Sequence, residues 1–123
     1  VYYNEGIPTA QASYNGSIGF GSNTTFMWVG TAMHEMAHYF GSGTTQAWKN
    51  LVVNGVWQGP VAQALCQQLT GETLKGDNNN NPQHYWPTGI NQRHEVSSVQ
   101  DLIDHARIVQ AMLIDDAKLP NKL

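Results

Sequence analysis

Cysteine is almost missing from this chain of 123 residues. A single Cys66 forbids an internal disulfide and removes every multi-cysteine zinc arrangement, and it reads as a small buried hydrophobe. Charge is scarce as well. Asp, Glu, Lys and Arg make up 12% of the residues, about half the usual share, so the polar surface falls to Asn, Gln, Thr, Ser and Gly, a balance common in secreted proteins. Six Lys and Arg are spread thinly under a net charge of -3, which leaves no basic stripe for a phosphate backbone and argues against nucleic acid as a partner. No apolar run approaches the ~20 residues of a membrane-spanning helix, so no membrane partner is expected. Asp77 is followed by four asparagines rather than by spaced acids, which gives no calcium loop. The sequence shows no targeting segment and begins at Val1 rather than Met, so a mature form or an excised domain is expected.

Against these absences stands a hydrophobic share of 41%, enough for a core, and a length that predicts one domain over residues 1–123. Residues 1–23 read as loop and strand, with alternation around Ile18 and Phe20. Thr24 or Thr25 is the expected N-cap of a helix that stops at Gly41. Thr44 or Thr45 starts a short helical turn through Leu51, and Asn54-Gly55 between Val52-Val53 and Val56-Trp57 carries a hairpin signature. Pro60 opens a second helix that ends at Gly71. Residues 72–97 show no period. A final helix starts near Ser97 or Ser98, with Val99, Leu102, Ile103, Ala106, Val109 and Leu113 as its expected inner stripe. An α+β fold follows.

The chemistry is concentrated in His34-Glu35-Met36-Ala37-His38. On a helix, a separation of four residues puts both imidazoles on one face, one turn apart, so two zinc ligands can converge. Glu35 in such a motif reaches the metal-bound water rather than the metal, and its role is general base. The neighbours Met33, Met36, Ala37, Tyr39 and Phe40 are unlike a solvated charged face, and buried histidines need partners.

On this motif the chain resembles the zincin metallopeptidases. HEMAHYFG is similar to the opening of the metzincin pattern, in which Gly41 turns the chain toward a third histidine; here Thr44 stands at that position. The resemblance implies a compact zincin-like domain with a short sheet, an active-site helix and a C-terminal helix. HYWPTGIN further resembles a segment of small HEXXH domains found beside carbohydrate-binding modules, which implies an extracellular location and a glycoprotein or other peptide substrate.

A catalytic zinc takes three protein ligands and leaves one position for water. His84, in the aromatic loop, is the favoured third ligand beside Glu72, Asp77, His94 and Glu95, while His105 reads as a surface residue of the last helix. Tyr85, Arg93 or His94 can supply a donor for a developing oxyanion. The segment Ser17–Gly21 is either the edge strand along a cleft or an interior strand, and Trp48, Trp57 and Trp86 are either core or a sugar platform. These readings converge on a zinc endopeptidase. Two rivals stand beside it, a non-catalytic zinc-stabilised module that binds carbohydrate or protein, and a zincin-like hydrolase of another bond.

Overall fold

The alternation around Ile18 becomes a strand in the computed structural model, which describes residues 1–120. Three short strands, β1 (Tyr2–Tyr3), β2 (Ala10–Ala12) and β3 (Ile18–Phe20), form a sheet in the order β1-β3-β2, with β1 parallel and β2 antiparallel to β3. The next element differs from expectation. Asn23 caps a single 3-10 turn over Thr24–Phe26, Trp28 is extended, and helix α1 runs only from Val29 to Phe40. The ring of Trp28 folds back over Gly30, in the space a Cβ would need, and the guanidinium carbon of Arg93 lies over the same ring, 4.4 Å from its centre. That contact is the reason for a glycine in the first turn, where it costs about 1 kcal/mol relative to alanine.

Thr45 caps the short helix α2 (Gln46–Asn50). The Asn54-Gly55 turn joins β4 (Val52–Val53) to β5 (Val56–Trp57) as expected, with both turn residues at positive φ. Helix α3 (Pro60–Thr70) has Pro60 in its first turn and the left-handed Gly71 as its C-cap. Residues 72–97 are more regular than their sequence suggests. They contribute β6 (Lys75–Gly76) and β7 (Tyr85–Trp86), which extend the hairpin into a four-stranded antiparallel sheet β4-β5-β6-β7. Two-residue strands are too short to show alternation. The described residues therefore form two small sheets where one was expected, within an α+β arrangement.

Helix α4 (Val99–Asp115) begins where Asp101 accepts the backbone N–H groups of Ser97 and Ser98. Its buried positions are His105, Ile108, Val109, Ala111 and Met112, the spacing of one helical face. The expected stripe is corrected: Val99, Ile103 and Ala106 face outward, because His105 occupies the core face that pattern reading reserves for apolar residues. One hydrophobic cluster joins α3, α4, the hairpin and α2 through Trp48, Trp57, Cys66, Leu74, Ile108 and Met112.

The last residue of α4 ties this cluster together. Asp115 accepts the Val61 and Ala62 N–H groups, each at 2.9 Å, and the Trp57 indole N–H at 3.0 Å. It satisfies two orphan donors at the start of α3 and one indole donor whose ring is buried. Asp115→Ala is expected to cost about 2–4 kcal/mol in urea unfolding, from lost charge-assisted bonds and an unpaired indole. A loss below about 1 kcal/mol would contradict this assignment.

Candidate metal centre

Helix α1 carries His34 and His38 one turn apart, and backbone carbonyls fix both rings. His34 Nδ1 lies 2.9 Å from the Gly89 carbonyl and His38 Nδ1 lies 2.7 Å from that of Ser42. A carbonyl only accepts, so both Nδ1 atoms carry the proton and both Nε2 atoms present a lone pair. The Ser42 contact is a product of the helix end. Gly41, at φ 124°, turns the chain back so that Ser42 N–H bonds to Ala37 O while its own carbonyl meets His38.

The two Nε2 atoms stand 3.1 Å apart. Burial first, then the neighbouring His38, pushes the pKa of His34 down to about 4, and burial lowers that of His38 against the opposing bond to Ser42. Both rings are neutral near pH 7. Two lone pairs then face each other with no proton to share, which is unfavourable unless a cation lies between them. Two nitrogens bound to one tetrahedral zinc at ~2.05 Å sit about 3.3 Å apart, close to the spacing found.

His84 completes the group from the far side of the chain. Gly43, at φ 70°, meets the Gln83 backbone so closely that a Cβ there would collide with it, and this approach brings the loop against the end of α1. Asp77 Oδ2 accepts the Gln83 and His84 N–H groups at 2.9 and 3.1 Å and lies 3.5 Å from His84 Nδ1. Among the described residues, His34, His38 and His84 are the one group of potential ligands that converges, with one nitrogen from each within 4.8 Å of the others. The site can hold a metal ion.

These residues line a cleft of about 380 Å³ whose other walls include Thr9 to Ala12, Thr31, Thr44, Gln83 and Asn91. Glu35 also lines it. Its side chain is buried, its Oε2 has no hydrogen-bond partner, and burial pushes its pKa up to about 7. An unpaired buried carboxylate is costly, and its persistence beside three imidazoles marks a site that expects water or a cation.

Several sequence expectations are corrected here. Tyr85 does not reach the cleft: it is buried, with its hydroxyl 3.0 Å from His105 Nδ1, so it cannot meet an oxyanion there. His105 is not a surface residue but 2% exposed, with Nδ1 2.7 Å from the Thr88 carbonyl. Asp77 stands behind His84 rather than in the ligand group, Glu95 caps the turn at Gln92, and Glu72 and His94 are exposed. Arg93 is on Trp28. Thr44, at the position of the metzincin third histidine, donates its hydroxyl to the His38 carbonyl. The segment Ser17–Gly21 holds the central strand β3, and the edge strand along the cleft is β2. Trp48 and Trp57 are core, so no three-tryptophan platform exists. Sequence reasoning missed the carbonyls of Ser42 and Gly89, which have no residue signature, and Gly43, which a glycine two residues past the helix stop could have signalled.

Burial lowers the pKa of His105 against smaller opposing contributions from the Thr88 and Met33 carbonyls and from Glu95. A lowered folded-state value means that the unfolded chain binds the proton first, so stability rises with pH between the folded value and ~6.5 and is lost on acidification through that window. Besides Glu95, the titratable groups around it are Tyr85, His34 and His38. Urea midpoints of the metal-free protein are expected to fall from pH 7.5 to pH 5, with His105 adding at most about 1.4 kcal/mol per pH unit to the slope. His105→Asn should narrow that gap; an unchanged gap would mean that His105 titrates alike in both states.

Comparison of the chain with protein-family models, with curated proteins and with solved structures gives no significant match, so the reading of the site rests on its own residues.

Proposed function

We propose that the chain is a zinc-dependent endopeptidase of the zincin type that cleaves peptide bonds of extracellular proteins or glycoproteins. The observation that carries this reading is the meeting of three imidazoles with a buried, unpaired Glu35 in one cleft. Three histidines without a fourth protein donor among the described residues match an open catalytic site rather than a closed structural one. Imidazole donors suit zinc among several transition metals, and the HEXXH spacing selects it.

A zinc ion held by His34, His38 and His84 would supply Lewis acidity toward a carbonyl and toward water. Glu35 does the proton work. Its carboxylate takes a proton from the attacking water as the water oxygen adds to the peptide carbon, and returns it to the amide nitrogen as the C–N bond breaks. Edge strand β2 lines the cleft through Thr9 to Ala12, where an extended substrate can add as a further strand. The low charge of the chain accords with a secreted enzyme, and an adjacent carbohydrate-binding module would deliver it to glycan-rich material.

The test is incubation of zinc-loaded protein with an unfolded protein and a glycopeptide mixture, with fragments read by mass spectrometry. Cleavage that stops on chelation supports the reading. Tight zinc binding with no cleavage of any substrate would favour a zinc-stabilised binding module instead.

A further inference from the structure

We propose that His105 and Asn91 are positioning residues of the metal centre, gripping the loop between Trp86 and Asn91 so that the Gly89 carbonyl holds the His34 ring. The proposal rests on the metal-centre reading above. The loop adopts a backbone that its residues disfavour: Thr88 and Ile90, both β-branched, have φ of 70° and 52°. Such residues avoid the left-handed region unless their surroundings force them there. Gly89 between them has no room for a side chain, since a Cβ would strike the Tyr85 carbonyl.

Three contacts supply the force. His105 Nδ1 donates to the Thr88 carbonyl at 2.7 Å, with the Tyr85 hydroxyl also within 3.0 Å. Asn91 Nδ2 donates to the Tyr85 carbonyl at 2.8 Å, and the Ile90 side chain is buried. The carbonyl that follows Thr88 is the one that accepts from His34 Nδ1 at 2.9 Å. His105 Nε2 also lies 3.4 Å from the carbonyl of Met33, the residue before His34. A single buried ring on α4 therefore stands against both backbone segments that set the His34 imidazole. Groups behind a ligating histidine orient the ring and tune its basicity, and their loss typically weakens metal binding about 10–100-fold.

The experiment measures zinc affinity by competition with a chromophoric chelator, and the visible absorption of the cobalt-substituted protein, for the natural chain and its variants. His105→Leu, which removes the donor, is expected to bind zinc about 10–100-fold more weakly and to alter the cobalt spectrum. His105→Asn, which returns an N–H near the Nδ1 position, should recover most of the affinity and the original spectrum. Affinity within about twofold of the natural chain and an unaltered spectrum in His105→Leu would overturn the proposal while leaving the metal centre standing. Should His105→Leu not fold, Asn91→Ala carries the same expectation, and unchanged affinity there overturns the proposal equally. A natural chain that takes up neither metal removes the metal-centre reading itself, and is seen before any variant is made.

Discussion

Glu35→Gln is expected to keep its zinc and to lose at least about 1,000-fold in kcat/KM on a peptide substrate. That factor lies within the range removed with a general acid–base group and corresponds to about 4 kcal/mol of transition-state stabilisation. The substitution suits the site because glutamine has the same shape, while its amide cannot take the proton. It also separates chemistry from folding. Glu35 is buried with an unpaired Oε2, so replacing its carboxylate by a neutral amide removes a desolvation cost, and the variant should be at least as stable as the natural chain. Activity is read by fragment release from a quenched peptide and metal content by elemental analysis. Activity within about tenfold of the natural chain would mean that another group carries the proton.

His84→Ala is expected to have the second largest effect, a loss of zinc affinity of at least about 100-fold, beyond what removal of a group behind a ligand typically costs. The remaining pair, with its Nε2 atoms 3.1 Å apart, still offers two donors, so weak binding should persist. Folding should survive. His84 is half-exposed and its backbone is held by Asp77 through the Gln83 and His84 N–H groups, bonds that the substitution leaves in place. Calorimetric zinc titration of the natural chain and the variant measures the difference. Equal affinity would place the third ligand elsewhere and dissolve the three-histidine group.

The sequence made the local part of this site legible and left its long-range part open. His34 and His38 share a face because four residues of helix are about one turn, a relation that needs nothing beyond the helix itself. His84 is different. It sits 46 residues past His38 in numbering, and only the contact of Gly43 with Gln83 and the Asp77 bonds bring it across. Neither leaves a periodic trace. The same limit explains β6 and β7, two residues each, and the short loop whose Gly89 carbonyl orients His34.

Errors of polarity followed a second rule. A histidine near Asp101 and Asp104 reads as part of a solvated helix face, yet His105 fills the core stripe of α4 between the Thr88 and Met33 carbonyls. Tyr85 reads as an oxyanion donor because it shares the aromatic loop with His84, but it begins β7 with its ring in the core and its hydroxyl against His105. The hairpin at Asn54-Gly55, the helix opened by Pro60 and the cap at Thr45 were legible because turn and cap chemistry acts within a few residues.

Elemental mass spectrometry on untagged protein, equilibrated with zinc at neutral pH and freed of excess, tests the central claim most directly. Close to one zinc per chain, falling sharply in His38→Ala, is the predicted result. No zinc in the natural chain, or the same content in His38→Ala, would contradict the metal centre and with it the proposed peptidase.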